Sequence, residues 1–314
     1  MDEALLKQIS SGLRKAALNQ ETKAYILSNP VLFNTLKKAA DRYIGGDTLT
    51  ETIDKVKNQN KNGFKCSIEF MGESTQTAHD ANEARNEFLK ICQSIKDQGL
   101  NATVSLDLSH IGLATSKDLC FNNLNLICQE AAKGNIEIII SAEDTERTDA
   151  VLKTYIDISK IHQHVGITLQ AYLFRTKDDF DDVVKLNGRI RIVKGAFETP
   201  SGLSMARGEE LDNVYLGYVK RLLSKNHPCS IATHDESIQQ EVKKMLQVYN
   251  VKGDSYEFES LFGIQSEQLL RLKEEGHPAK IYFVYGKEWY LYLCNRLAEY
   301  PLNVFQALND ILRA

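Results

Sequence analysis

Eight short, apolar, β-branched runs punctuate this 314-residue chain, and no other feature constrains its fold as strongly. They lie at Phe64–Phe70, Ala102–Leu108, Ile136–Ile140, Gly166–Leu173, Arg189–Val193, Cys229–Ala232, Tyr256–Phe262 and Lys280–Val284. Between them, apolar residues recur at the i, i+3, i+4 spacing of helices over Ala81–Ile95, Leu119–Ala132, Thr148–His162, Leu211–Leu223, Ile238–Val248 and Ser266–Lys273. One strand–helix unit takes about thirty residues, the length of a βα module. Eight such units predict an α/β fold, a (βα)8 barrel of the TIM type. A doubly wound open sheet usually has fewer strands and a glycine-rich first turn, which this sequence lacks.

The barrel is expected over residues 61–314, and residues 1–60 read as an amino-terminal helical arm. In that arm Leu5–Leu18 and Lys23–Tyr43 have helical patterns, with a break at Pro30. The chain has only 5 Pro and 18 Gly, too few for long linkers or low-complexity tracts. A formal net charge of −4 and the absence of any long basic run argue against a nucleic-acid partner. No apolar stretch approaches the roughly eighteen residues of a membrane span, so no stable membrane insertion is expected. The six cysteines form no CxxC and fall mostly on apolar positions, which reads as reduced core thiols of a cytoplasmic protein. His162 and His164 sit near a helix end without the further ligands of a zinc set, so no metal site is expected.

In a barrel the residues just past each strand carry the chemistry. Taken in order they are Glu73; Asp107 and His110; Ser141, Glu143 and Asp144; Gln170 and Tyr172; Lys194; His234 and Asp235; Glu257 and Glu259; Tyr282 and Tyr285. Asp144, Asp235 and Ser266 also suit helix starts. Arg191 and Lys194 place two cations on one strand that otherwise reads as buried, and such cations need anionic partners.

Several of these segments resemble the proline dehydrogenase family in order and spacing. They are Arg42-Tyr-Ile-Gly-Gly-Asp-Thr48, Met71-Gly-Glu73, Leu169-Gln-Ala-Tyr-Leu173, Arg191-Ile-Val-Lys-Gly-Ala-Phe197, Ala232-Thr-His-Asp235, Tyr256-Glu-Phe258 and Tyr285-Gly-Lys-Glu-Trp-Tyr290. The resemblance runs from about Arg42 to Asn303. It implies a distorted (βα)8 barrel with FAD on the carboxyl ends of its strands, oxidising proline to pyrroline-5-carboxylate. It also implies electrons passed to a membrane quinone, which would bring the protein to the inner face of the membrane as a peripheral visitor. By the same resemblance Arg191 lies beside the flavin N5, Gln170 beside the isoalloxazine, and Lys194 and His234 on the ribityl-phosphate side. Gly195, Ala196, Thr233 and Glu299 are assigned to the cofactor as well, and Phe197 stands where the family often has Tyr.

The segments that would grip the substrate depart from the family. The strand-two lysine expected in a Val-Ser-Leu-Lys-Leu segment is Asp107, and a supporting aspartate in Ile-Asp-Met-Glu-Asp is Ser141. Of two adjacent arginines on the last helix, the first is Asn295 and only Arg296 remains. The grip thus loses two cations and gains an anion, which disfavours a carboxylate. Lys65 or His110 could restore a cation. Asp107 could pair with Arg296 or accept a second ammonium. Glu73, Tyr282 and Tyr292 still frame a small ring. Three functions follow: oxidation of proline or a cyclic amine related to it, oxidation of an amine whose carboxylate is modified or missing, or an inactive flavin-binding paralogue. A Schiff-base lyase using Lys194 is a weaker alternative.

Overall fold

The computed structural model describes residues 3–72, 74–251, 253–299 and 303–312. Eight parallel strands close in sequential order: β1 (Lys65–Phe70), β2 (Ala102–Leu106), β3 (Ile138–Ile140), β4 (Val165–Gln170), β5 (Ile190–Val193), β6 (Cys229–Ala232), β7 (Tyr256–Leu261) and β8 (Ala279–Tyr285). Closure pairs Ser67 with Tyr282 and Phe70 with Tyr285. All eight runs read from the sequence are strands of this barrel. A parallel barrel strand is covered on both faces, so its residues form unbroken apolar runs rather than an alternation.

Helices alternate with the strands: α5 (Ala78–Asp97), α6 (Lys117–Ala132), α7 (Thr148–Ser159), α8 (Thr176–Val183), α9 (Glu209–Leu223), α10 (Glu236–Tyr249) and α11 (Ser266–Glu274). Thr77, Ser116 and Asp235 cap α5, α6 and α10 with side-chain oxygens, as the termini of helices require. Ser266 is the first residue of α11 and supplies no cap; Gln265 precedes it in the left-handed conformation, φ 47°. α8 escapes the periodicity reading because its sequence, TKDDFDDV, buries only Thr176, Phe180 and Val183.

Ahead of β1 lie α1 (Glu3–Leu18), α2 (Gln20–Ser28), α3 (Pro30–Asp41) and α4 (Leu49–Lys61). Asn29 separates α2 from α3, with Pro30 at the first turn where its missing N–H costs nothing. α4 opens with a capping box in which Thr48 and Glu51 satisfy each other's backbone donors, and it packs against β1 and β8. After β8 come α12 (Trp289–Glu299) and α13 (Asn303–Leu312).

Two apolar cores result. One fills the barrel and the space beneath its helices. The other joins Ala17, Ala39, Ala40, Tyr43 and Ile44 to Trp289, Tyr290, Leu293, Cys294, Leu297 and Ala307, so α1 and α3 clasp α12 and α13. Polar contacts reinforce the clasp: Ser10 donates to the Ala298 carbonyl at 2.7 Å and Tyr290 to that of Ala16 at 3.3 Å. The second core matters for function because α12 carries Tyr292, Asn295 and Arg296.

Candidate active site

The barrel interior carries an unusual load of charge, and its two ends differ. At the amino end, Lys65, Arg189 and Lys280 surround Glu137 and Glu257. Arg189 Nε donates to both Glu137 oxygens at 2.9 and 3.1 Å, and Lys65 Nζ reaches Glu257 at 3.2 Å and Glu137 at 3.4 Å. Lys280, fully buried, donates to Glu257, to which Ser230 also donates at 2.6 Å. Burial opposes ionisation of Glu257, yet Lys280, Arg189 and Lys65 outweigh it and hold the carboxyl well below its usual range. Lys65 and Glu257 therefore belong to the closed end of the barrel. Lys65 is committed to its own carboxylates and is no substitute for the lost lysine.

Halfway up, Lys280 Nζ lies 2.9 Å from Glu259, whose other oxygen lies 2.9 Å from Arg191 Nη2. Arg191 also donates to Ser105 Oγ at 2.8 Å and to Thr168 Oγ1 at 3.3 Å, and its guanidinium sits 4.8 Å from the centre of the Tyr282 ring. Its Nε is buried and has no partner among the described residues.

At the carboxyl end the balance reverses. Ser141, just past β3, donates to Glu69 of β1 at 3.1 Å and shares a hydrogen bond with Asp107, so one hydroxyl joins two carboxyls. Glu143 accepts the Ser109 N–H at 2.9 Å, while Gln170 Nε2 donates to the Glu143 carbonyl at 2.9 Å. Burial pushes Glu69 up to about 7, with Arg191 and Ser141 opposing and Glu143 and Glu259 adding to the rise. Burial, then Glu69 and Glu143, push Asp107 well above the usual carboxylate range against the pull of Ser141 and Arg147. Glu143 is raised by burial too. Carboxyls this crowded share protons rather than all ionise.

α12 spans this mouth. Tyr292 acts electrostatically on Glu69, and Arg296 acts on His234 beyond β6. Arg296 pairs with Glu299 and lies 5.0 Å from the Tyr292 ring centre, and among the described residues Arg296 Nε and Tyr292 Oη are buried without partners. The Arg296–Asp107 pair considered from sequence is not formed: Arg296 turns to Glu299, and the cation acting on Asp107 is Arg147. Asn295 is half-buried one residue before Arg296. Burial pushes Tyr292 up to about 12, so its hydroxyl stays a donor.

The opposite rim is built by the β5 and β6 loops. Lys194 Nζ is held 2.6 Å from Asp212 and 2.8 Å from Asp235, the latter also capping α10. Gly195 has φ 115°, and a Cβ there would stand 2.2 Å from the Tyr172 ring, so only glycine permits this approach. Tyr172 donates to the Phe197 carbonyl at 3.0 Å. Ala196 and Phe197 are exposed on the same loop. Thr233 accepts the Asp235 N–H at 3.1 Å. His234 accepts the Leu261 N–H on Nε2 at 3.1 Å, and burial, with Arg296 nearby, lowers its pKa to about 4. A neutral imidazole accepting on Nε2 carries its hydrogen on Nδ1, as a donor. His110, likewise lowered to about 4 by burial, stacks on Phe70 with centroids 5.1 Å apart and supplies no cation. Glu73 lies outside the described residues.

Sequence reasoning missed Glu69. The available signal was a lone carboxylate inside the apolar run Cys66-Ser-Ile-Glu-Phe70, which burial obliges to find a partner.

A closed parallel barrel that holds crowded carboxyls and the unsatisfied Arg191 Nε, Tyr292 Oη and Arg296 Nε towards its carboxyl mouth defines the class: a (βα)8 barrel with the layout of an enzyme. The sequence matches the proline dehydrogenase family over residues 52–303, and the chain belongs to that family. Proline dehydrogenase 2 of Bacillus subtilis (strain 168) is 34% identical over 275 residues, covering 88% of this chain and 91% of the relative. Proline dehydrogenase of Deinococcus radiodurans is 28% identical over 279 residues, covering 87% of this chain and 90% of its own. Among solved structures, proline utilization A from Bdellovibrio bacteriovorus inactivated by N-propargylglycine superposes with a TM-score of 0.80 at 16% identity. That match covers 94% of this chain and 36% of the larger protein, so the chain spans about a third of it and shares its barrel fold.

Proposed function

We propose that this protein is an FAD-dependent dehydrogenase that oxidises proline or a cyclic amine related to it to the corresponding imine, pyrroline-5-carboxylate if the substrate is proline. The observation that carries the reading is the mouth itself, where one wall supplies unspent donors and the other an excess of carboxyls. The donors fit a flavin. Among the described residues Arg191 Nε is buried without a partner, His234 offers Nδ1–H, and the glycine at 195 lets the β5 loop close onto the Tyr172 ring. Arg191 and Gln170 would face the ring system, with Lys194, Gly195, Ala196, Thr233, His234 and Glu299 along the rest of the cofactor. FAD, when bound, accepts the hydride.

This chain's own residues bind the amine and keep water out. Tyr282 and Tyr292 supply flat walls for a small ring. Glu69 and Asp107, joined by Ser141, attract a substrate ammonium and can take the proton it must lose before hydride departs. The same carboxyls repel a substrate carboxylate, which would have Arg296 but neither a lysine at 107 nor an arginine at 295. We therefore favour a cyclic amine whose carboxylate is amidated, esterified or absent over free proline. Electrons would pass to a quinone at the membrane surface, reached peripherally; among the described residues no helix is long and apolar enough to cross a membrane. A Schiff-base role for Lys194 is disfavoured, because such lysines sit in apolar pockets or beside other cations, whereas Lys194 lies between Asp212 and Asp235.

Anaerobic reduction of the flavin by L-proline, prolinamide and pyrrolidine tests the reading. Prolinamide should reduce it faster than proline, and Asp107→Lys with Asn295→Arg should invert that order. One charge-assisted contact contributes about 1.5–3 kcal/mol, so the inversion should span at least one order of magnitude. Efficient turnover of proline by the unaltered protein would refute the substrate shift, and a flavin that no amine bleaches would leave the paralogue reading.

A further inference from the structure

We propose that Glu259 is a positioning residue: shared between Lys280 and Arg191, it sets how much positive charge Arg191 presents to the flavin. The proposal rests on the flavin reading above.

The observation behind it is a continuous line of charge along the barrel interior, half-buried at its lower end and buried above. It starts with Lys65 and Glu137, passes through Arg189, Glu257, Lys280 and Glu259, and ends at Arg191. The upper members are close to dry: Lys280 is 0% exposed, Glu259 3% and Arg191 3%. Charges in such surroundings act on each other far more strongly than they would in water. The line holds four cations against three carboxylates, so one positive charge is left over.

Where that excess lies depends on Glu259. Its Oε1 is 2.9 Å from Arg191 and its Oε2 is 2.9 Å from Lys280. Lys280 has a second carboxylate in Glu257, whereas among the described residues Arg191 otherwise bonds only the hydroxyls of Ser105 and Thr168. Glu69 of β1 is the other carboxylate on which Arg191 acts, and it faces Arg191 from the mouth. Arg191 is thus the most weakly compensated cation of the line, and its unpartnered Nε lies at the same end. A flavin that receives a hydride gains one negative charge, so a cation beside it favours the reduced form. A carboxylate bonded to that cation tempers the preference. Glu259 acts through Arg191 and need not touch the cofactor.

The test is the two-electron midpoint potential of the bound flavin, measured at pH 8 on the full-length flavoprotein. Glu259→Gln should move it upward, a roughly tenfold stronger preference for reduced over oxidised flavin, equivalent to about 30 mV. Lys280→Gln should move it downward, because Glu259 then rests on Arg191 alone. Glu259→Asp, which keeps the charge, should stay near the unaltered protein. General damage to packing has no reason to produce shifts of opposite sign. Should either single variant fail to fold, the double variant Glu259→Gln with Lys280→Gln removes both charges at once and should still shift upward, though less. Potentials that are unchanged, or that move the same way in both single variants, overturn the proposal. A wild-type protein that binds no FAD would instead overturn the flavin reading on which it rests.

Discussion

The two ends of the barrel are built from the same side chains and behave in opposite ways. At the amino end Glu137 and Glu257 are held below their usual range despite burial, because Arg189, Lys65 and Lys280 crowd around them. At the carboxyl end Glu69, Asp107 and Glu143 are pushed up, since Arg191 is already bonded to Glu259 and Arg147 must serve more than one acid. Burial is common to both, so burial does not decide charge here. What decides is how many cations remain unspent within reach. The closed end commits its cations to carboxylates, Lys280 reaching up to Glu259 as well, and acts as structure, whereas the open end keeps protons, donors and acids in reserve, as binding and catalysis require.

The sharpest way to break this contrast is Arg189→Met. It strands Glu137 and Glu257 with less countercharge, and breaking a buried pair of this kind costs about 3–5 kcal/mol. Urea unfolding at pH 7 should show that loss; a cost below about 1 kcal/mol would mean that the lower network is not structural. Glu69→Gln should do the reverse. A carboxyl at about 7 in the fold, against about 4.3 in the unfolded chain, binds more protons folded than unfolded, so its penalty appears as pH rises between those values and is complete above the upper one. The variant should therefore be stabilised by about 3–4 kcal/mol at pH 8 and by almost nothing at pH 4. A gain independent of pH would point to repacking rather than charge. Smallest is Ser141→Ala, which removes the hydroxyl joining Glu69 and Asp107. It should cost about 1.5–3 kcal/mol at pH 8, where the bond is to an ionised acid, and raise the Glu69 titration midpoint; an unmoved midpoint would show that Ser141 does not couple the two acids.

These features were unequally legible in the sequence. The strands were, because continuous apolar runs are what a parallel barrel demands. α4 was legible in principle, since Thr48 followed three residues later by Glu51 is a capping box, but its polar surface hides the periodicity. Lys194, Gln170 and His234 stand out at strand ends, and Arg191 inside β5, because each is polar against an apolar background. Glu257 and Glu259 show the limit. They are two residues apart on one strand and look equivalent, yet only Glu259 reaches Arg191, while Glu257 sinks among Lys65, Arg189 and Lys280. Which end of the barrel a residue serves depends on register around the closed sheet, and register involves partners scattered along the whole chain.

The clasp between α1 and α12 has a consequence in time. Ser10 and Ala298 are separated by 288 positions. At translation rates of about 5–20 residues per second, the first helix waits on the order of tens of seconds before its partner has been synthesised. During that interval Leu13 and Ala17 have no native surface to cover them, while the strands emerge and begin to pair. The helix bearing Tyr292 and Arg296 also leaves the ribosome only after all eight strands of the barrel. A chain interrupted before it could assemble much of the wall yet never close the mouth, so the site is complete only once α1 and α12 have met.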